Sequence, residues 1–473
     1  MSQQKFVDRQ PDLECLERQY KRKGASLFII YGRRRIGKTE LIRRFLENKQ
    51  GIYFLATLET EFQNIKALKE LFSKWFGEYF KHLEIRDWFN LFKILVESSK
   101  FKEITKNQKF ILVIDEFSYL IQLNKGIPSI FQKIWDELLE QENIMLILCG
   151  SSVSLMETEV LGYKSPLYGR RTGQLEIGPL EFKYLKDFLP KYDIEDLVKT
   201  WFVVGGIPAY LKLLDPNRDF WKNIKNNFLL KEALLYKEAE FLLTQEFREP
   251  KNYKLILKSI ALGNHTLGEI CNYSGLDKSM VSKYLDVLSN LKIIRELVPV
   301  TASPKFKKRH YVLSDQYFNF YFRYIYPNIM DLEIRNVEQV LSKIKTDFSN
   351  YSGFMFEFFA EDIIRHRYFL KDFNFSRLGK YWDKNVEIDL LDLNESSKKL
   401  LAIECKWKDN IDPKKICKSL IDKLDYVQWY NNERKEYLCI FTKSFKEKIN
   451  EFEGYKVFCY DLKDIEKFIR KQK

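Results

Sequence analysis

One segment has the residue types and spacing of a phosphate site: Gly32-Arg-Arg-Arg-Ile-Gly37-Lys38-Thr39, which fits the pattern G-x-x-x-x-G-K-[ST]. Glycine permits a backbone turn that points N–H groups inward, and the N-terminus of a following helix adds positive potential. Lys38 would then reach the β- and γ-phosphates of a nucleotide, and the Thr39 hydroxyl would help to hold Mg²⁺. We therefore predict a P-loop with ATP and Mg²⁺ as cofactors, the alternative being a chance glycine-rich turn.

Two adjacent acids, Asp115 and Glu116, follow the apolar run 110–114. A buried strand would deliver both carboxylates to the carboxyl edge of a parallel sheet, which is where such sheets bind ligands. There Asp115 would hold Mg²⁺ through water, and Glu116 would orient or deprotonate the attacking water. The pair therefore predicts hydrolysis rather than binding alone, against the alternative of two solvated acids at a strand end.

A second group of charged residues lies nearer the C-terminus: Glu357, Asp389, Glu404 and Lys406. We expect Asp389 to close one short strand. Glu404 and Lys406 should lie on one face of the next strand, because side chains alternate with a period of two. Two carboxylates and a lysine can hold a divalent metal and position water for phosphodiester cleavage, and Glu357 could add a carboxylate from a preceding helix. The alternative is a pair of amphipathic strands with solvated charges.

The elements that would position the first site alternate between apolar strands and helices. We predict strands at Ser26–Tyr31 and at 52–56, 109–114 and 144–149. Helices are predicted to begin near Lys38, Thr60, Arg86 and Ile127. Continuous apolar strands that alternate with helices predict a parallel sheet covered on both faces.

The segment from residue 250 to residue 323 has the spacing of a winged helix-turn-helix. Helices are predicted at 253–262, from a capping box at Thr266 and Glu269, and from Asp277 to about residue 291, with strands at 293–298 and His310–Leu313. Two sets of residues would contact DNA: Lys278, Ser279, Ser282 and Lys283 at base edges, and Lys305, Lys307, Lys308 and Arg309 at phosphates. DNA contact and regulatory packing on the nucleotide domain both stay open.

The composition restricts the class of protein. The chain has 473 residues, 79 Lys+Arg, 66 Asp+Glu, a net charge of +13 and 45% hydrophobic residues. These values exclude a mainly disordered chain and favour a polyanionic partner such as DNA. The apolar runs are too short to span a membrane and the N-terminus has no apolar signal core, so we expect a cytoplasmic protein. Seven cysteines without a C-x-x-C pair give no support for a zinc site or a disulfide framework.

Several shorter motifs accompany the P-loop, and with it they resemble the archaeal ATPase family, a branch of AAA+ related to the STAND NTPases. The opening Phe6-Val7-Asp8-Arg9 is similar to the family's adenine-side box, with Arg9 as its marked residue. The resemblance implies roles for five further residues: Ser151 or Ser152 as a sensor of the γ-phosphate, Arg170 or Arg171 as an arginine finger, and Pro208 as a contact to the nucleotide base. Without the family, the serines could cap a helix, the arginines could be surface cations, and the segment around Pro208 could end a helix.

The C-terminal segment resembles the PD-(D/E)XK nuclease superfamily, and specifically the DUF234 domain. The order of motifs carries this resemblance: Glu357 on a helix, Glu387-Ile-Asp389 on a strand in place of the usual Pro-Asp, and Glu404-Cys-Lys406 on the next strand. It implies a restriction-endonuclease-like fold in which Glu357, Asp389 and Glu404 hold a second divalent metal and Lys406 is catalytic.

We therefore predict a multidomain α/β protein with five segments: a P-loop ATPase core with a parallel sheet at 1–178, a helical lid at 179–249, a winged helix at 250–330, a linker at 331–350 and a restriction-endonuclease-like DUF234 domain at 351–473. The predicted function is Mg²⁺-dependent ATP hydrolysis coupled to DNA binding and to the nuclease-like domain. The alternatives are a nucleotide-controlled regulatory switch or a DNA-binding regulator with an inactive tail. The sequence leaves open whether the chain forms a homo-oligomer or binds another protein.

Overall fold

The computed structural model describes residues 7–247, 249–303, 306–370, 373–431 and 433–471, so Phe6 and Lys305 of the predicted motifs lie outside the described residues. The chain folds into two compact units, Met1–Pro179 and Leu180–Lys473. The predicted end of the ATPase core at residue 178 lies one residue before the end of the first unit. The lid, winged-helix and C-terminal segments all fall in the second unit.

A parallel sheet of five strands forms the centre of the first unit. The strands are β1 (Ser26–Tyr31), β2 (Gly51–Leu55), β3 (Phe110–Asp115), β4 (Ile144–Gly150) and β5 (Gly173–Glu176). Their order in the sheet is β2-β3-β4-β1-β5. The four predicted strands are present, with ends that differ by one residue at most. β1, β3 and β4 are buried along their whole length, as expected for central strands covered on both faces.

Nine α-helices of the first unit lie between or beside these strands in the described residues. They are α1 (Gln10–Lys21), α2 (Lys38–Leu46), α3 (Glu61–Phe76), α4 (Tyr79–His82), α5 (Trp88–Glu97), α6 (Ser99–Asn107), α7 (Phe117–Leu123), α8 (Ile127–Ile134) and α9 (Val153–Leu155). Side chains from α3, α5, α7 and α8 share one hydrophobic core with alternate residues of β1 to β4. This core fixes the strand ends that carry Asp115 and the P-loop.

The second unit begins with a helical region. Its helices are α10 (Leu185–Phe188), α11 (Ile194–Val204), α12 (Pro208–Leu211), α13 (Phe220–Ile224), α14 (Leu234–Glu246), α15 (Lys251–Ala261), α16 (Leu267–Ser274), α17 (Lys278–Asn290), α18 (Gln316–Phe320), α19 (Ile329–Glu333) and α20 (Val337–Arg365). The predicted capping box is confirmed: Thr266 and Glu269 satisfy each other's backbone N–H groups at the start of α16. The predicted strands follow α17 as the antiparallel pair β6 (Ile294–Leu297) and β7 (His310–Leu313).

A mixed sheet of six strands completes the second unit. Its strands are β8 (Arg377–Trp382), β9 (Glu387–Asn394), β10 (Lys399–Lys406), β11 (Lys435–Thr442), β12 (Glu451–Phe452) and β13 (Tyr455–Tyr460), in the order β12-β13-β11-β10-β9-β8. Two further helices, α21 (Pro413–Leu424) and α22 (Leu462–Lys471), follow β10 and β13. The parallel pairs β10–β11 and β11–β13 and the antiparallel pair β9–β10 make this a separate α/β architecture.

Helix α20 crosses the boundary that the sequence predicts between a linker and the C-terminal domain. It contains 29 residues without interruption. Buried residues such as Val340, Ile344, Phe348, Tyr351 and Met355 recur along it at a spacing of three to four, so one apolar stripe continues through residue 350. Residues 337–350 therefore form the first turns of a packed helix, and residues 331–333 belong to α19.

Among the described residues, no helix is both long and apolar enough to cross a membrane.

Candidate functional site

The P-loop turn depends on glycine at two positions. Gly32 has φ of +153°, and a Cβ atom there would lie 2.3 Å from the carbonyl oxygen of Ile177. Gly37 has φ of +96° and immediately precedes α2. Because both positions exclude an ordinary side chain, the loop can follow its tight path close to the neighbouring backbone.

Lys38 is buried at the start of α2, where its ammonium group faces the loop. Its Nζ donates to the carbonyl oxygens of Gly32 (2.8 Å) and Arg33 (3.0 Å). Burial lowers the pKa of this lysine, although nearby acidic groups oppose the shift. The ammonium group is thus held by neutral carbonyls, which an anionic phosphate can replace as partner.

Asp115 joins the P-loop to the neighbouring strand through two hydroxyl groups. Its Oδ2 accepts from Thr39 Oγ1 at 3.1 Å and from Tyr53 Oη at 2.5 Å, and its Oδ1 accepts from the backbone N–H of Glu116 at 2.8 Å. Burial and the bond to Asp115 raise the pKa of Tyr53. The hydroxyl of Thr39 and the carboxylate of Asp115 are therefore close enough to serve one cation.

Glu116 adopts a left-handed backbone conformation, with φ of +53°, directly after β3. This conformation costs energy for a residue with a side chain and is found at functional sites. Its Oε2 accepts from Ser151 Oγ at 2.6 Å, at the end of the adjacent strand β4. Ser152 is buried as well and immediately precedes α9. Of the two predicted sensor residues, Ser151 is the one that contacts Glu116.

Arg9 connects the N-terminal segment to the P-loop. Its Nη2 donates to the carbonyl oxygens of Ile36 (3.1 Å) and Gly178 (2.6 Å), and its Nη1 lies 3.5 Å from Asp12. Arg9 is only 8% exposed. It therefore supports the loop backbone beside Gly37, while the adenine-side role implied by the resemblance stays a prediction.

The two arginine-finger candidates have local partners. Arg170 makes a two-pronged ion pair with Asp136, through Nε at 3.1 Å and Nη2 at 3.0 Å. Arg171 donates to the carbonyl oxygen of Leu161 and lies over the ring of Tyr168. These contacts stabilise the loop after β4, and a catalytic role for either arginine stays a prediction.

Pro208 is the first residue of α12 in the second unit, and Gly205 and Gly206 precede it in the sequence. A Cβ atom on Gly206 would lie 1.9 Å from the carbonyl oxygen of Leu180, and the N–H of Leu180 donates to the carbonyl oxygen of Gly206 at 2.8 Å. The motif thus has a structural reason, a close approach of two backbones. Its predicted contact to the nucleotide base stays a prediction.

The residues of the first unit fit a nucleoside triphosphate with a divalent cation. The loop has no room for a Cβ atom at Gly32, and a buried lysine faces it. The oxygen atoms of Thr39 and Asp115 suit a hard cation such as Mg²⁺. One carboxylate, Glu116, lies beside this set and is oriented by a serine hydroxyl.

In the second unit, β9 and β10 bring Asp389 beside the Glu404–Lys406 pair. Asp389 Oδ2 accepts from the backbone N–H of Cys405 at 2.7 Å, and Lys406 Nζ lies 2.6 Å from Glu404 Oε1 and 4.0 Å from Asp389 Oδ2. The expectation that Glu404 and Lys406 share a face is confirmed. The expectation that Asp389 closes a short strand is wrong, because it is the third residue of the eight-residue strand β9.

Two further lysines surround these acids. Lys423 of α21 donates to Glu404 Oε2 at 3.0 Å, and Lys380 of β8 forms an ion pair with Glu357 of α20. We call the six residues Glu357, Lys380, Asp389, Glu404, Lys406 and Lys423 the acid–lysine cluster. Burial, followed by repulsion from Glu357 and Glu404, raises the pKa of Asp389 to about 7.

The cluster is not arranged as a metal site. Within the described ranges, no group of three or more His, Cys, Asp or Glu side chains is placed to hold a metal ion. The predicted ligands Glu357, Asp389 and Glu404 do not form such a group, and lysine ammonium groups pair with the carboxylates of Glu357 and Glu404. Their role as metal ligands stays a prediction.

Three residues of these two sites were missed by the sequence reasoning: Tyr53, Lys380 and Lys423. Tyr53 had a usable signal, since it carries a hydroxyl near the end of a strand beside β3. The two lysines had none, because the chain contains lysine throughout its length.

Two family descriptions match the chain. Residues 6–214 match an ATPase domain predominantly from Archaea. Residues 321–417 match the DUF234 family, described as archaeal and bacterial proteins of unknown function.

Two relatives and one solved structure are similar to this chain. The uncharacterized protein MJECL04 of Methanocaldococcus jannaschii is 40% identical over 453 residues, which cover 94% of this chain and 97% of that protein. The uncharacterized ATP-binding protein MJ0423 of the same organism is 58% identical over 45 residues, or 10% of this chain and 76% of that protein. The structure of the Walker-type ATPase PABY2304 of Pyrococcus abyssi superposes with a TM-score of 0.53 at 24% identity, covering 67% of this chain and 96% of that chain. This structural likeness shows a shared fold.

Proposed function

Because the chain belongs to the archaeal ATPase family with a C-terminal DUF234 domain, we propose that its first unit binds ATP and hydrolyses it with Mg²⁺. The observation that carries this proposal is the contact between Ser151 and Glu116 beside the P-loop. A carboxylate next to the Asp115–Thr39 pair, and held by a polar side chain, is suited to orient or deprotonate a water molecule.

Each residue of the nucleotide site then has a distinct role. Lys38 exchanges its carbonyl partners for phosphate oxygens, and the P-loop N–H groups surround the same phosphates. Bound Mg²⁺, held by Thr39 directly and by Asp115 through water, would supply positive charge to the phosphates. Glu116 aligns the attacking water, and Ser151 keeps its carboxylate in place.

The replacement Lys38→Ala tests this proposal. We expect loss of ATP binding and a fall in ATP turnover to background, measured by nucleotide binding and phosphate release with and without EDTA. Arg44→Ala is the matched control, because Arg44 lies on the same helix and forms an exposed ion pair with Glu47. Turnover that survives Lys38→Ala or EDTA would contradict the proposal.

We further propose that the second unit binds nucleic acid through α17. Lys278, Ser279 and Lys283 are exposed on this helix, and the outward face also includes Met280 and Val287. Lys307 and Lys308 are exposed on the segment before β7, whereas Arg309 pairs with Glu296. The exposed lysines of α17 and of the segment before β7 carry the positive charge that a phosphate backbone attracts.

The double variant Lys278→Ala/Lys283→Ala tests the nucleic-acid interface. We expect weaker DNA binding with a reduced preference between sequences, because these two lysines are the predicted base-edge contacts. The matched control is Lys66→Ala/Lys74→Ala, which removes two exposed lysines from α3. Equal binding by the two double variants would contradict the interface.

The strands β6 and β7 and the segment between them contact the six-stranded sheet directly. The N–H of Val300 donates to the carbonyl oxygen of Lys380 at 2.8 Å, and the ring of His310 stacks on Trp382 at 4.3 Å. Arg295 of β6 also pairs with the buried Glu361 of α20. These contacts support a function in which nucleic acid bound at α17 and the acid–lysine cluster belong to the same unit.

We propose that this cluster is the remnant or the resting form of a nuclease centre, with Asp389, Glu404 and Lys406 as its motif. Cleavage assays on DNA and RNA with Mg²⁺ or Mn²⁺, with and without ATP, distinguish the two. Cleavage that Asp389→Ala and Lys406→Ala abolish would support an active nuclease. No cleavage under any of these conditions would favour the alternative, a nucleotide-controlled switch with an inactive tail, which the lysine-paired carboxylates also support.

A further inference from the structure

The acid–lysine cluster contains as many basic as acidic side chains. Three carboxylates, from Glu357, Asp389 and Glu404, meet three ammonium groups, from Lys380, Lys406 and Lys423, in one region of the second unit. Only Lys406 belongs to the acid-x-lysine motif. The other two lysines come from β8 and α21, so separate elements of the fold deliver them.

The register between β8 and β9 shifts opposite Lys380. β8 pairs Gly379 with Leu391 and Tyr381 with Ile388, so Lys380 faces both Leu390 and Asp389 on β9. Such a bulge redirects side chains, and bulges are common near functional sites. The bulge also lets Ile388 and Leu391 both enter the hydrophobic core, which regular alternation would prevent.

The side chain of Lys380 is well enclosed. It is 13% exposed and its partner Glu357 is 20% exposed. Its ammonium group also lies 5.5 Å from the ring centre of Phe358. Such a buried charge is retained only with an opposite charge beside it, so this ion pair belongs to the architecture and is not a transient surface contact.

Lys423 is the second lysine that pairs with Glu404. Glu404 is 7% exposed and has both carboxylate oxygens engaged, Oε1 by Lys406 and Oε2 by Lys423. A divalent cation prefers these same oxygen atoms. Cation and lysines would therefore compete for the same carboxylates.

We infer that Lys380 and Lys423 are resident counter-ions that keep divalent metal out of the acid cluster in the free protein. The inference deepens the proposed nuclease-like site and rests on that proposal only for the identity of the cluster. It predicts that removing one ammonium charge creates a metal site where the intact cluster has low affinity. A phosphodiester chain is the class of ligand whose charge can draw the same ammonium groups away.

Mn²⁺ binding to the nucleotide-free full chain tests this inference. Electron paramagnetic resonance and calorimetry would compare the wild type with Lys423→Met, Lys380→Met and the control Lys418→Met, an exposed lysine on the same helix as Lys423. We expect weak binding by wild type and control, and binding tighter by about tenfold or more in the two test variants, since one opposing charge is removed. Adding Asp389→Ala to Lys423→Met should abolish the gain.

Two results would overturn the inference: wild type that binds Mn²⁺ as tightly as the variants, or a folded Lys423→Met that shows no gain. Lys423 is partly exposed, so this variant keeps the test open if Lys380→Met does not fold, which circular dichroism would reveal. Metal binding is measured without cleavage. A chain that gains the metal site yet never cuts nucleic acid would therefore refute the nuclease proposal alone.

Discussion

The nucleotide site of the first unit and the acid–lysine cluster of the second both contain carboxylates, but the partners of these carboxylates differ. Asp115 and Glu116 accept from the hydroxyls of Thr39, Tyr53 and Ser151 and from backbone N–H. Glu357 and Glu404 accept from lysine ammonium groups. Neutral donors orient a carboxylate and leave its charge available, whereas ammonium groups cancel it.

This difference separates two uses of the same chemical group. In the first unit, the ammonium group of Lys38 donates to loop carbonyl oxygens, which phosphate oxygens can replace. The carboxylates of Asp115 and Glu116 therefore remain available to Mg²⁺. In the second unit, a cation must first displace a lysine. We therefore expect acid replacements to reduce the reaction rate at the first site and the folding stability at the second.

Glu116→Gln provides the largest expected effect and tests the first half of the comparison. ATP turnover should fall about 10²–10⁴-fold, the usual contribution of a general base, while ATP binding and the melting temperature stay close to wild type. Phosphate release, nucleotide binding and thermal unfolding measure the three quantities. Glu47→Gln, an exposed acid at the end of α2, is the control. A large loss of stability in Glu116→Gln would erase the contrast.

Glu404→Gln tests the second half. Loss of this charge leaves Lys406 and Lys423 without their partner, and we expect the free energy of unfolding to fall by about 2 kcal/mol, less than for a fully buried pair because both lysines are partly exposed. Urea unfolding measures the change. The control Glu395→Gln breaks a surface pair with Arg377 and should cost under about 1 kcal/mol. Equal effects of the two variants would mean that the cluster pairs are no stronger than surface pairs.

Asp392 is a third case, a carboxylate that has neither neutral donors nor lysine ammonium groups as partners. It is fully buried on β9, its two oxygens have no hydrogen-bond partner among the described residues, and burial raises its pKa to about 7. An unfolded aspartate titrates near pH 4. Because the pKa of Asp392 is higher in the folded than in the unfolded state, its protonation stabilises the fold. This stabilisation is complete below about pH 4 and is lost as the pH rises through about 7.

Asp392→Asn should remove this pH dependence. We expect the variant to be more stable than wild type by about 1–3 kcal/mol above pH 7, with a difference that shrinks toward pH 4. Urea unfolding of both proteins between pH 4 and pH 8 checks it, and titration of Asp389 cancels in the difference. A constant difference across this range would contradict the assignment.

Tyr53→Phe has the smallest expected effect. It removes one hydroxyl donor from Asp115, and a single hydrogen bond contributes about 0.5–1.5 kcal/mol, so turnover at limiting Mg²⁺ should fall about 2–10-fold. Saturating Mg²⁺ should restore most of the rate if Tyr53 acts by positioning Asp115. Tyr79→Phe, at an exposed tyrosine, is the control. A loss that Mg²⁺ does not relieve would indicate a different role for Tyr53.

Local patterns in the sequence were enough for several elements and for the first site. β1 to β4 are short apolar runs, and the capping box at Thr266 is satisfied by residues three apart. The P-loop is contiguous, so its glycines and lysine carry their own geometry. The polar start of α20 hid its continuation through residue 350, because an apolar stripe is visible only when the whole helix is considered.

By itself, then, the sequence determined the P-loop, the paired acids after β3 and the shared face of Glu404 and Lys406, since each depends on neighbours within a few residues. Only the tertiary structure decided which partners these groups have. Tyr53 lies 62 positions before Asp115, Asp136 lies 34 positions before Arg170, and Glu404 lies 19 before Lys423. Strand order, the bulge at Lys380 and helix packing make these contacts, and a dispersed lysine has no local signal that tells which acid it will neutralise.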